Sequence, residues 1–310
     1  MRYYFYCAVL ILLAITITTV FPFLVDSMDS LLISLQIPQN NSQVAGIQKY
    51  NIPPISRNLP LPNFAARAVL IKDLATNTTL YQKDSSVSFP IASTTKIMTA
   101  LVASEYFKQN SVLTVESSAN TPGSKAGLDA GENFTFRSLL YGMLLNSGND
   151  AAYTIAENYP GGVLSFVSAM NKKVLELNLK NTHFDNPAGF DSPYHFSSAA
   201  DLSKITEEAL KNTTLTRIFA TKETNIVSLN KKYTHQLINL NKLLSQINGV
   251  LGVKTGTTRE AKENLVTLIE RNGYRVLLVV LGSDDRFGET TRLIDWTYTN
   301  FTWSELGTVH

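Results

Sequence analysis

A serine hydroxyl attacks a carbonyl only when a neighbouring group takes its proton, and this 310-residue chain offers an arrangement suited to that task in Ser93-Thr94-Thr95-Lys96. Positions i and i+3 share one helix face, so the lysine amine can reach the serine oxygen. The amine accepts a proton only while neutral, which requires Lys96 to be buried or set beside another cation. A helix start at Ser93 would also aim backbone N–H groups and the positive dipole end at a developing oxyanion. Two further patterns follow along the chain. Ser147-Gly148-Asn149 sits in a turn after Leu144-Leu145, and Lys254-Thr255-Gly256 follows the β-prone run Val250-Leu251-Gly252-Val253. Each is ordinary by itself. Ser228-Leu229-Asn230-Lys231 repeats the first spacing and Ser118-Ala119-Asn120 the second. Isolated serines at such places are commonly helix caps or turn residues, and an isolated lysine and glycine suit an edge strand with a bulge. The order of all three in one chain is what makes them a candidate site.

Other chemistries find less support. The four histidines, His183, His195, His235 and His310, form no His-x-x-x-His pair and have no acidic cluster beside them, so no metal is expected. A Ser-His-Asp arrangement would need its serine presented, and no Gly-x-Ser-x-Gly is found. Lys and Arg number 27 against 25 acidic residues, a net charge of +2 that gives no footprint for nucleic acid. The one cysteine, Cys7, lies in an apolar N-terminal run, which removes disulfides and cysteine-ligated metals from the folded part. Because that run follows Cys7, the residue reads as a lipid-facing bystander and not as a lipoprotein cysteine.

The elements that must position these residues can be read from periodicity. Residues 3–25 carry no formal charge, and about 23 residues of helix at about 1.5 Å each span about 35 Å, enough for a bilayer core. Arg2 precedes the run while Asp26 and Asp29 follow it, so the expectation is an uncleaved anchor with everything after Val25 outside the cytoplasm. A cleaved signal sequence is the rival, although no Ala-x-Ala marks a cleavage site. Residues 26–60, with Pro53-Pro54 and Pro60, read as a linker. Residues 68–71 and the surroundings of Leu80-Tyr81 suggest a first hairpin. Helical spacing then appears over 93–107, 139–145, 151–157, 163–179 and 200–210. Residues 264–270 and 274–281 form a second hairpin, turning at Asn272-Gly273, and a last helix is expected over about 289–302. With strands at both ends and helices between, the class is α+β, the terminal strands sharing one sheet.

The conjunction of Ser-x-x-Lys, Ser-x-Asn and Lys-Thr-Gly, in that order, is the one found in penicillin-binding proteins and class A β-lactamases. Over roughly residues 64–302 the chain resembles the low-molecular-mass D-alanyl-D-alanine carboxypeptidases. The likeness rests on Pro90-Ile91-Ala92 leading into Ser93, on Leu139 to Leu145 before Ser147-Gly148-Asn149-Asp150-Ala151-Ala152, on Asn186-Pro187-Ala188-Gly189 before Ser197-Ser198-Ala199-Ala200-Asp201-Leu202, and on Gly252 through Thr258. The resemblance implies a penicillin-recognising fold, an antiparallel sheet flanked by helices with a helical subdomain, here preceded by one N-terminal transmembrane helix. It implies Ser93 as acylated nucleophile, Lys96 as its base and Ser147 as proton relay to the leaving amine. Asn149 would hold the substrate amide, and Lys254 would set the electrostatics of the pocket around Gly256. Ser93 and Thr257 would supply oxyanion N–H groups, with Thr255, Thr257 and Arg286 on the terminal carboxylate. The implied partners are peptidoglycan stem peptides, and β-lactams as covalent inhibitors, with no cofactor. The expected layout is an anchor or signal sequence at 1–25, a linker at 26–60, a catalytic domain at 61–303 and a tail at 304–310. Class A β-lactamase activity would need a Glu-x-x-Leu-Asn element between Ser147 and Lys254, which is missing. DD-endopeptidase activity and non-catalytic cell-wall binding stay open. One departure is Ala261-Lys262, where the family usually has a small Ala-Gly pair.

Overall fold

Alternation along the strand at 274–283 already dictates a two-sided core. Val276, Leu278 and Val280 pack into one apolar cluster, whereas Leu277, Val279 and Leu281 pack into another, because successive strand side chains point to opposite sides of a sheet. Both faces must therefore be covered by helices. The computed structural model describes residues 52–304, and the anchor and most of the linker expected from the sequence lie outside them, as does most of the tail.

In chain order the described elements are β1 (Ile55–Ser56), β2 (Ala68–Asp73), β3 (Thr78–Lys83), α1 (Lys96–Tyr106), β4 (Val112–Thr114), β5 (Asn133–Thr135), α2 (Phe136–Leu144), α3 (Asn149–Glu157), α4 (Gly162–Glu176), α5 (Ala199–Leu210), α6 (Thr213–Phe219), β6 (Glu223–Val227), β7 (Thr234–Ile238), α7 (Leu243–Gln246), β8 (Val250–Thr258), β9 (Lys262–Arg271), β10 (Tyr274–Ser283), α8 (Arg286–Asn300) and β11 (Phe301–Thr302). Five strands form one antiparallel sheet in the order β3-β2-β10-β9-β8. Strands from both ends of the body thus share a sheet, as the sequence pattern implied. Asn272 and Gly273 both take positive φ in the β9–β10 turn, the geometry for which Asn-Gly is suited.

Helix α1 occupies the centre. Lys96 through Ala103 are all buried, and α1 packs against α5, α4, α3 and α2. The opposite face of the sheet is covered by α8, whose Leu293 and Ile294 meet Val69, Ile71 and Val280. Helix α8 starts at Arg286, ahead of the expected position near 289, because the Asp285 side chain caps it by accepting from the Gly288 N–H. Strand β1 pairs with β11, so the last part of the stretch read as linker is bonded to the body. The strand pairs β4–β5 and β6–β7 and the helices α6 and α7 are runs of three to seven residues, too short for a period to mark them in the sequence. Among the described residues no helix is long and apolar enough to cross a membrane.

Candidate active site

Ser93 lies on a 3₁₀ turn, Ala92–Thr95, that runs directly into α1. At three residues per turn, position i+3 falls under position i, and the Lys96 amine comes 2.9 Å from Ser93 Oγ. The same amine donates to Asn149 Oδ1 at 2.8 Å and to the Ala188 carbonyl at 2.7 Å. Three acceptors use all three positions of an ammonium; a neutral amine keeps two of these and offers its lone pair to the serine proton. Lys96 has no exposed surface. Burial drives its pKa well below the ordinary lysine range, Lys254 adds to the depression and Asp150 opposes it. The sequence requirement that Lys96 be buried or set beside another cation is thus met by the structure.

Ser147 sits in the turn between α2 and α3, nearly buried, with φ at +58°. A non-glycine residue held in the left-handed region is unusual and concentrates at functional sites. Asn149 begins α3, with its Oδ1 toward Lys96 and its Nδ2 donating to the Pro122 carbonyl at 2.7 Å. The amide therefore orients Lys96 and leaves only its second Nδ2 hydrogen for a ligand. Lys254, Thr255, Gly256 and Thr257 lie on β8, an edge of the five-stranded sheet, whose outer backbone groups pair with no other strand among the described residues. Lys254 is buried, and its pKa falls to about 7, chiefly by desolvation with a smaller push from Arg286.

Gly256 explains how β8 approaches the nucleophile. A Cβ there would come within 3.0 Å of the Ile91 carbonyl oxygen and of the Ser93 and Thr94 nitrogens. Across the ladder from Gly256, the buried Asn264 donates to the Pro90 carbonyl at 3.2 Å and accepts from the Gly282 N–H, tying the turn to the sheet. Arg286, at the start of α8, donates through Nη1 to the Gly256 carbonyl at 3.1 Å and to Thr257 Oγ1. The nine residues singled out in the sequence therefore lie on the Ser93 turn and the first residue of α1, on the Ser147 turn and the first residue of α3, or on β8 with the arginine beside it.

Comparison with known proteins decides the family. Residues 56–285 match the family model for D-alanyl-D-alanine carboxypeptidase. The chain belongs to that family. It is 36% identical over 255 residues to a D-alanyl-D-alanine carboxypeptidase of Bacillus subtilis, covering 79% of this chain and 65% of the relative, slightly under two thirds. A Streptomyces D-alanyl-D-alanine carboxypeptidase is 35% identical over 258 residues, covering 76% of this chain and 88% of the relative. A crystal structure of a Streptomyces DD-transpeptidase superposes with a TM-score of 0.73 at 34% identity, covering 78% of this chain and all of that one. The penicillin-binding-protein fold, an antiparallel sheet with flanking helices, is established.

Several residues that shape this carboxypeptidase-family site were given no role from sequence. Asp150 accepts N–H bonds from Ala126, Gly127 and Leu128, at 2.8, 2.9 and 3.1 Å, and so holds the 124–128 loop beside the Ser147 turn. Asn186 Oδ1 accepts from the Ala188, Gly189 and Phe190 N–H groups, which directs the Ala188 carbonyl at Lys96. His195 bonds Thr95 within the nucleophile motif. An Asp after Ser-Gly-Asn and an Asn before Pro-Ala-Gly are turn-forming types, a local signal for the first two. The bond between residues 95 and 195 has no sequence signal.

Proposed function

We propose that the chain is a serine-type D-Ala-D-Ala carboxypeptidase that removes the terminal D-alanine from peptidoglycan stem peptides. The observation that carries this is the buried Lys96 amine, 2.9 Å from Ser93 Oγ and depressed in pKa, in a chain of the D-alanyl-D-alanine carboxypeptidase family. In this reading Ser93 Oγ bonds to the penultimate D-alanine carbonyl carbon while its proton passes to neutral Lys96. Charge developing on the carbonyl oxygen is met by the Ser93 and Thr257 N–H groups. The C–N bond then breaks, and the leaving amine takes a proton by way of Ser147. Water hydrolyses the ester, and Ser93 recovers its proton. Arg286 and the threonines at 255 and 257 receive the substrate's terminal carboxylate, a planar anion suited to a guanidinium fork.

β-Lactams would acylate the same serine. The apolar residues 3–25 support a membrane tether with the catalytic body on the outer side, where stem peptides occur. Incubation with a fluorescent penicillin, beside Ser93→Ala, followed by intact mass and a D-alanine release assay, tests the reading. A wild-type adduct absent from Ser93→Ala, with D-alanine release, is expected. Label retained in Ser93→Ala would overturn the assignment, and an adduct without release would favour an endopeptidase or binding role.

A further inference from the structure

His195 is buried, with 2% of its surface exposed, and takes no part in the steps above, yet its ring nitrogens bond the two segments that hold Ser93 and Lys96. Nε2 lies 2.7 Å from Thr95 Oγ1. The Thr95 hydroxyl gives its single hydrogen to the Ala92 carbonyl, also at 2.7 Å, so toward His195 it is an acceptor and Nε2 carries the proton. On the other side, Nδ1 accepts the Asp185 backbone N–H at 3.0 Å and therefore has no hydrogen. Both partners independently demand one tautomer, the neutral imidazole protonated on Nε2.

The chain of bonds ends at strained backbone. Ala92, the residue before the nucleophile, has φ at +48°, a conformation that an L-residue keeps only where its surroundings impose it. Its carbonyl is fixed by Thr95 from one side, and Gly189 crowds it from the other, where an added Cβ would lie 2.0 Å away. Gly189 belongs to the 185–190 turn, which Nδ1 of His195 also holds and whose Ala188 carbonyl receives the Lys96 amine.

We infer that His195 is a positioning residue for acylation: through Thr95 it fixes the Ala92–Ser93 turn, and through the Asp185 N–H it fixes the turn that orients Lys96, holding nucleophile and base in register. The inference rests on the acyl-enzyme reading above. Protonation of Nδ1 would set two N–H groups against each other. Burial, with smaller opposing and reinforcing charges from Asp185, His183, Asp191 and Lys96, lowers the His195 pKa to about 4, which keeps the bonded tautomer present at neutral pH.

The test measures the penicillin acylation rate in full-length wild type, Thr95→Val, Thr95→Ser, His195→Ala, His195→Gln and the Thr95→Val/His195→Ala double variant, with thermal unfolding of each. Thr95→Val keeps the shape and loses the hydroxyl. Loss of registry is expected to slow acylation about 10- to 100-fold in Thr95→Val and His195→Ala. The double variant should be no slower than the slower single one, since the two groups form one linkage. Thr95→Ser and His195→Gln, which keep a hydroxyl and an N–H donor, should recover most of the rate. Folded Thr95→Val and His195→Ala proteins reacting within about twofold of wild type, or additive losses in the double variant, would overturn the inference alone. A wild type that takes no label would overturn the acyl-enzyme reading and this inference with it.

Discussion

The lysine pair sets the pH response of the site. Lys96 acts as a base only when neutral, and burial with the neighbouring Lys254 keeps its pKa low, so acylation by penicillin should quicken as pH rises through the range in which Lys96 loses its proton. Stopped-flow labelling across pH measures this; a rate that falls as Lys96 deprotonates would contradict the base assignment. Lys96→Arg makes the point separately. A guanidinium keeps its proton at any working pH, so this variant should lose roughly 10²- to 10⁴-fold in acylation rate, the usual worth of general-base catalysis. In the proposed reading Arg286 belongs to recognition instead. A charge-assisted contact with a terminal carboxylate would be worth about 1.5–3 kcal/mol, so Arg286→Gln should lower kcat/KM for a D-Ala-D-Ala peptide by about 10- to 100-fold. That loss should appear mainly in KM, and unchanged steady-state parameters would return Arg286 to a role limited to its bonds with Gly256 and Thr257.

Turns and strands set the distances on which those roles depend, and two glycines separate backbone strain from crowding. Gly189 has φ at +93°, and a Cβ there would lie 2.0 Å from the Ala92 carbonyl oxygen. Gly273 has φ at +80° with nothing within 4 Å. Gly273→Ala should therefore cost about 1 kcal/mol of stability and spare activity, since it pays only the left-handed backbone term. Gly189→Ala should cost more and also slow penicillin acylation, because the clash displaces the residue preceding Ser93. Chemical denaturation of both variants, with labelling rates, makes the comparison; equal effects on acylation would mean that Gly189 is only a turn residue. The same contrast shows why some elements could be read from sequence and others could not. The β9–β10 hairpin announces itself through the two β-prone apolar runs on either side of Asn272-Gly273, and α1 through Ile97, Leu101 and Val102 behind Ser93. The motif residues were legible because their types and order are chemically constrained. By contrast, the Thr95 to His195 bond, the Asp150 clasp on the 124–128 loop and the Asn264 bond to the Pro90 carbonyl join residues distant in the chain. Each uses a residue type that has many ordinary uses, so no local pattern marks it.

For the whole molecule, burial of titratable groups links folding to pH in two separate windows. A base whose pKa is lower in the folded chain than in the unfolded one binds fewer protons when folded at pH values between the two, and there stability rises with pH. Lys254, at about 7 when folded against an ordinary value of about 10.4, therefore opposes folding at neutral pH and ceases to do so only as pH climbs into the alkaline range. His195, at about 4 when folded against about 6.5 unfolded, acts at the acid end. Its contribution is complete above about pH 6.5 and is lost as pH falls toward 4, amounting to about 3 kcal/mol over that interval. The carboxylates titrate in part of the same interval, so the informative quantity is a difference between proteins. Urea unfolding of wild type and His195→Gln at pH 7, 6, 5 and 4.5 should show wild type losing stability more steeply on acidification, because glutamine does not titrate and keeps the bond to Thr95. Parallel curves would mean that the imidazole is not held neutral by the Thr95 and Asp185 bonds, and the buried linkage between the two halves of the site would then have to be reassigned.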